Sequence, residues 1–218
     1  MKIKKVLKSI LDAVFPVGIT CNGCGKELTF DNGYSLCEKC MSELISLEEK
    51  KLTYEKIEVF SCYKYDKLAR KYVLAYKDGN RPYLSQYMAK AMSELYSQSD
   101  INFDVVCFVP SCKQVLRRRG YDAMKNVAKF FAKQTNLPML QKIARIKHKK
   151  DQAQLKFDER KEAVKGNFFV DNEAYAGKKV LILDDLVTSG ATINECALCL
   201  INAGKAKKVV ALTFARAI

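Results

Sequence analysis

The chain has 218 residues, close to half of them apolar, which suffices for one α/β domain of ordinary size with a small accessory module, or for two modest domains. Its 38 Lys and Arg against 24 Asp and Glu give a formal net charge of +14. That balance suits a polyanionic partner, whether nucleic acid, anionic lipid or a heavily phosphorylated small molecule, and equally a Lys-rich solvated surface. No apolar run reaches the length of a membrane span, so no transmembrane segment is expected.

At the start of the chain Lys2, Lys4 and Lys5 precede an apolar stretch ending at Cys21, but Lys8 and Asp12 interrupt it, leaving too short an apolar run for an export signal. Val6, Leu7, Ile10, Leu11, Val14 and Phe15 fall at helical spacing and predict an amphipathic helix stopped near Pro16. A cytoplasmic protein is expected, with its nine cysteines as reduced thiols or metal ligands. Four of them form two pairs, Cys21 with Cys24 and, about a dozen residues later, Cys37 with Cys40. This spacing suits one tetrahedral Zn²⁺, and Gly23 and Gly25 allow a tight knuckle around it. A disulfide pair is the other reading and fits a reducing compartment poorly. Four thiolates close the coordination sphere, so the zinc is structural or recognition-related. Residues 1–48 thus read as the amphipathic helix with a double zinc-ribbon-like module, and 49–218 as a second domain.

In the middle of the chain Leu68 to Tyr76 and Tyr83 to Tyr96 show helical apolar spacing, separated by the turn signal Asp78-Gly79-Asn80. From Asp104 onward, apolar runs at Val105 to Val109, Val180 to Leu183 and Val209 to Phe214 read as strands buried on both faces. They alternate with helical patterns at Tyr121 to Gln134 and Ile193 to Ala203. The alternation predicts a parallel, doubly wound α/β sheet flanked by helices, its ligand crevice at the carboxyl ends of the strands. Cys196 and Cys199 lie inside a helical pattern and read as small residues facing the sheet, while Cys62, Cys107 and Cys112 lack partners at ligand spacing. The single histidine, His148, lies among Arg145, Lys147, Lys149 and Lys150 and reads as part of a solvated loop.

The segment VLILDDLVTSGAT, Val180 to Thr192, concentrates the chemistry. A buried strand delivers Asp184 and Asp185 to the crevice, where carboxylates accept hydrogen bonds from the vicinal hydroxyls of a ribose. Thr188, Ser189, Gly190, Ala191 and Thr192 let the backbone curl so that N–H groups and hydroxyls converge on one phosphate at a helix N-terminus. Each part alone also fits an ordinary strand, turn and helix cap. The complete order resembles the signature of the type I phosphoribosyltransferases. That resemblance implies that Asp184 and Asp185 hold the ribose of phosphoribosyl diphosphate (PRPP) and that residues 188–192 hold its 5′-phosphate. It also implies Mg²⁺ carried with PRPP, and a second anion loop for the diphosphate. Val109, Pro110, Ser111 and Lys113, followed by Arg117, Arg118 and Arg119, stand where that loop is expected, although a solvated basic turn reads the same way.

Taken together, the lead-in Leu11 to Pro16, the four cysteines, Val109-Pro110, Arg117 to Tyr121, Gln152 to Arg160, Gly166, Phe168, the 180–192 segment and Leu212 to Arg216 resemble the ComF family of bacterial competence proteins over nearly the full length. Cys112 replaces the family's usual second proline, Tyr121-Asp122-Ala123 its Phe-Asn-Gln, and Ala163 its Asn, leaving the ribose and 5′-phosphate residues untouched. Three functions follow from the resemblance and the charge. One is a phosphoribosyltransferase of nucleotide or metabolite salvage, with an unread acceptor and the basic segment 145–160 closing over the site. Another is a PRPP-binding protein that handles incoming single-stranded DNA, with Tyr63, Tyr65, Tyr72, Tyr76 and Tyr83 either stacking on bases or filling the core. In the third, the zinc module docks onto a competence helicase or channel component.

Overall fold

The computed structural model describes residues 20–28, 34–47, 49–55, 57–78, 81–99, 102–146 and 166–218. The expected N-terminal helix, His148, the Gln152 to Arg160 stretch and Ala163 lie outside the described residues. In chain order the elements are α1 (Glu38–Glu43), β1 (Lys51–Tyr54), β2 (Ile57–Lys64), α2 (Lys67–Lys77), α3 (Leu84–Ser97), β3 (Val105–Phe108), α4 (Lys113–Arg119), α5 (Ala123–Thr135), β4 (Ile143–Arg145), β5 (Phe168–Val170), β6 (Lys179–Val187), α6 (Ala191–Asn202) and β7 (Lys208–Arg216).

Five strands form one sheet in the order β1-β2-β7-β6-β3, parallel except for β1, which pairs antiparallel to β2. The centre is occupied by β6 and β7 because their runs are apolar on both faces. Tyr72 and Tyr76 of α2, Met88 and Met92 of α3 and Phe131 of α5 build the core on one face, where Phe214 of β7 packs 5.5 Å from Tyr72 and 5.2 Å from Tyr63. Ile193 and Cys196 of α6 cover the other face together with the antiparallel ribbon β4-β5. The five tyrosines considered for base stacking all belong to the first core or pack against it. They fill space; they form no open platform.

Periodicity alone did not reveal β2. Its Glu58 and Ser61 break the apolar pattern, yet Ser61 is fully buried and its Oγ lies 2.7 Å from Thr213 Oγ1 on the neighbouring strand. The middle of the chain is therefore part of the sheet. The cysteine segment also shares the first core, through Cys21, Leu36, Cys40 and Leu44. Beyond it the backbone runs antiparallel to β2, with Lys64 N–H donating to the Ile45 carbonyl at 2.9 Å.

One mismatch in strand length creates the crevice. The pairing of β3 with β6 ends at Phe108 and Leu183, where Pro110 turns the chain away, while β6 continues to Val187 beside β7 alone. The two aspartates thus lie inside β6, not beyond its end, and one edge of that stretch faces open space.

Candidate functional site

Successive residues of a strand point to opposite faces, and Asp184 and Asp185 inherit different surroundings from this. Asp185 is 3 % exposed, and its two carboxylate oxygens lie 2.7 and 2.6 Å from Lys77 Nζ, at the last turn of α2. Burial alone would lower the Lys77 ammonium, but the charges of Asp185 and Asp184 outweigh it and raise it above its ordinary value. Asp184 is half-buried and accepts the Asp185 N–H at 2.9 Å. Burial, then the adjacent Asp185 charge, raise its carboxyl from 3.8 to about 8 against the opposing pull of Lys77 and Arg145.

After Val187 the chain bends through Thr188 and Ser189 to Gly190, whose φ of 73° belongs to the left-handed region and which precedes α6. A Cβ at Gly190 would lie 2.4 Å from the Tyr54 ring, so space as well as backbone angle requires glycine there. Thr188 and Thr192 line a cavity of about 460 Å³ together with Asp184 and Asp185. Thr188, Ser189 and Gly190 form the bend itself, and Ala191 begins α6.

Val109, Pro110 and Ser111 form another wall of this cavity. Asp122 braces that wall, accepting from Ser111 N–H at 3.3 Å and from Ser111 Oγ at 3.2 Å. The basic residues divide differently from the expectation. Residues 113–119 are helical, and Arg118 and Arg119 line the cavity while the exposed Lys113 and Arg117 do not. Lys77 and Arg145 complete the lining. Lys77 carried no signal in the sequence, where it reads as a basic residue in the last turn of a helix. Asp122 and Tyr54 were equally silent, because their roles depend on segments remote in sequence.

The four cysteines converge, with all sulfurs within 4.8 Å of one another. Cys21 Sγ accepts N–H groups of Gly23 at 3.3 Å, Cys24 at 3.5 Å and Cys37 at 3.3 Å, and Cys37 Sγ accepts that of Cys40 at 3.5 Å. Burial raises the Cys21 thiol, but the donors from Cys24, Cys37 and Gly23 outweigh it and lower it to about 6. A Cβ at Gly23 would lie 2.6 Å from Cys40 Sγ, so the turn closes tightly on the cluster. Donor type, number and spread fit one tetrahedral Zn²⁺. Cys196 is buried against the sheet, as its helical position implies, and Cys199 is half-buried.

No protein-family profile matches the chain, and no curated protein matches it. Among solved structures it is similar to the allosteric regulatory enzyme of purine biosynthesis, at 20 % identity over 64 % of this chain and 29 % of that one, with a TM-score of 0.45. Glutamine PRPP amidotransferase from B. subtilis, complexed with ADP and GMP, gives 20 % identity over 64 % and 30 % with the same TM-score. The orotate phosphoribosyltransferase of Francisella tularensis gives 16 % identity over 62 % and 64 %, with a TM-score of 0.34. The chain spans less than a third of the first two. Among the described residues no helix is long and apolar enough to cross a membrane.

Proposed function

We propose that the cleft at the carboxyl end of β6 binds Mg²⁺·PRPP, with Asp184 and Asp185 accepting the ribose hydroxyls and residues 188–192 holding the 5′-phosphate. The observation that carries this reading is one cavity lined by two carboxylates, two threonines beside a helix N-terminus, and the cations Lys77, Arg118, Arg119 and Arg145. Acceptors for hydroxyls next to donors for phosphates match a phosphorylated ribose. Mg²⁺ keeps few protein ligands and would be held mainly by oxygens of the bound ligand. Calorimetry of Mg²⁺·PRPP against wild type and a Gly190→Val variant tests the reading; equal affinity for both would overturn it.

The wider role follows the resemblance to the ComF family. We propose a cytoplasmic protein in which residues 1–48 form the zinc-bearing module and 49–218 the PRPP-binding one, acting on incoming single-stranded DNA. The net charge of +14 supports it. With the tyrosines in the core, DNA contact rests on charge, so log affinity should fall linearly with log salt, by roughly 0.7 for each phosphate neutralised. Binding to single strands that ignores salt would count against this electrostatic account, and no binding at all favours the second reading, a salvage phosphoribosyltransferase. Release of diphosphate from PRPP on adding a nucleophile would establish that reading.

A further inference from the structure

We infer that Lys77, with Arg118 and Arg119, forms the subsite for the diphosphate of PRPP, and that Lys77 is the residue by which the cleft distinguishes PRPP from ribose 5-phosphate. The inference rests on the PRPP reading above and extends it to a residue outside both anion-binding loops. Of the basic residues following the second loop, Lys113 and Arg117 do not line the cavity, which leaves Arg118 and Arg119 on that side. A second cavity of about 550 Å³ adjoins the first, lined by Lys77, Asp78, Arg118, Arg119 and Tyr121. Lys77 and the two arginines line both cavities, so they form the boundary between the ribose acids and this cationic cleft.

The bonding of each cation shows what remains to be satisfied. An ammonium has three protons. The geometry at Lys77 commits two of them to the Asp185 oxygens and leaves a third for another acceptor. Arg118 and Arg119 share a single carboxylate oxygen of Asp78, at 3.6 and 3.1 Å, and that side chain is half exposed. Across the two cavities four cations, Lys77, Arg118, Arg119 and Arg145, face three carboxylates, Asp184, Asp185 and Asp78, an excess of one positive charge. Ammonium and guanidinium groups only donate, so they complement phosphate oxygens and not the ribose hydroxyls, whose protons need acceptors. Lys77 can hold Asp185 in place for the ribose and donate to the diphosphate on the adjacent carbon. Asp78 would release the arginines as the more highly charged diphosphate enters.

The test is calorimetry of Mg²⁺·PRPP, ribose 5-phosphate and Mg²⁺·diphosphate with wild type, Lys77→Met, Lys77→Arg and the double variant Lys77→Met with Asp185→Asn. The double variant leaves no buried carboxylate without its partner, so it reports on the site if Lys77→Met alone unfolds. In Lys77→Met the loss of the charged contact should weaken diphosphate by about tenfold or more and PRPP by about tenfold more than ribose 5-phosphate, whose own loss reports the displaced Asp185, with Lys77→Arg in between. In the double variant the ribose 5-phosphate loss should match that of Asp185→Asn alone, and PRPP should lose about tenfold beyond it. Equal losses for PRPP and ribose 5-phosphate would reduce Lys77 to a support for Asp185 and overturn the inference. If wild type binds neither sugar phosphate, the PRPP reading falls separately. Lys77-dependent binding of diphosphate then upholds the subsite, and Lys77-independent or absent binding removes it.

Discussion

The cysteine cluster and the cleft are both built from charged or chargeable groups, but they solve the problem of charge in opposite ways. The cluster draws four thiol ligands from two short segments and leaves them facing one another within 4.8 Å, an arrangement that asks for a cation from outside. The cleft draws its groups from α2, α4, β4, β6 and the 109–111 loop, and compensates most of its charge itself, Asp185 with Lys77 and Asp78 with Arg118 and Arg119. A site that waits for its counterion keeps its ligands at a regular local spacing, which is readable. A site that stores its own counterions recruits them from anywhere in the chain, and must exchange partners when a ligand arrives.

The largest effect should come from the cluster. Replacing Cys37 and Cys40 together by serine removes half of the ligand set, and structural zinc in small modules contributes on the order of 10 kcal/mol. Metal analysis should show one zinc per chain in wild type and none in the variant, and thermal unfolding should show a large drop because Cys40 also lies in the main core. Cys199→Ser, remote from the cluster, should keep its zinc. A double variant with undiminished zinc would show that the convergence of sulfurs is not a metal site.

Next in size is the pair of acids. On the proposed reading, Asp184→Asn with Asp185→Asn removes both charges and turns one acceptor oxygen of each carboxylate into a donor, a loss of about 1.5–3 kcal/mol, or roughly ten- to a hundredfold in PRPP affinity, per residue. The two single variants should differ. Asp185→Asn also leaves Lys77 without its buried partner, so it should cost thermal stability that Asp184→Asn does not. Calorimetry with PRPP, and with inorganic phosphate as the control that lacks ribose hydroxyls, separates binding from folding. Equal stability loss in the two would mean that the Lys77 pair contributes nothing.

These outcomes bear on what the sequence disclosed. The strands Val105–Phe108, Lys179–Val187 and Lys208–Arg216, the helices around them and the parallel arrangement were legible because fully buried strands are written as unbroken apolar runs. The order of acids and small residues from Asp184 to Thr192 was legible because strand end, bend and helix start lie in one continuous segment. Strand β2 was hidden by polar residues that satisfy each other across strands, as Ser61 and Thr213 do. The inward set of cations was hidden because helix phase decides that Arg118 and Arg119 face the cavity while Arg117 does not. Lys77 was hidden because its partner stands 108 residues away.

A smaller effect tests whether the phosphate loop is shaped by local backbone alone. Gly190→Ala forces a side chain into the left-handed region, at about 1–2 kcal/mol, and drives its Cβ against Tyr54. Urea unfolding should register both costs. Tyr54→Ala in the same chain should recover the part due to collision and none of the part due to backbone angle, so the two substitutions should not add. Strict additivity would place Tyr54 out of contact with the loop.

The last effect concerns Asp184, and its sign follows from the raised carboxyl. The unfolded chain ionises this group near its ordinary 3.8, whereas the folded, ligand-free protein holds the proton up to about 8. Below both values the group is protonated in both states and contributes nothing to the balance. As the pH rises between them the unfolded state gives up its proton first, so the folded state loses stability progressively and levels off only above the upper value. Thermal midpoints of wild type should therefore fall relative to Asp184→Asn across this window, the variant lacking the ionisation while keeping the shape of the side chain. The gap between the two should be widest at the alkaline end and narrow toward pH 4. Saturating Mg²⁺·PRPP should shrink it by supplying hydroxyl donors to the carboxylate that the empty cleft leaves beside a second negative charge. A gap that stays constant with pH would mean that Asp184 is ionised throughout, and that Lys77 and Arg145 neutralise both acids of the pair.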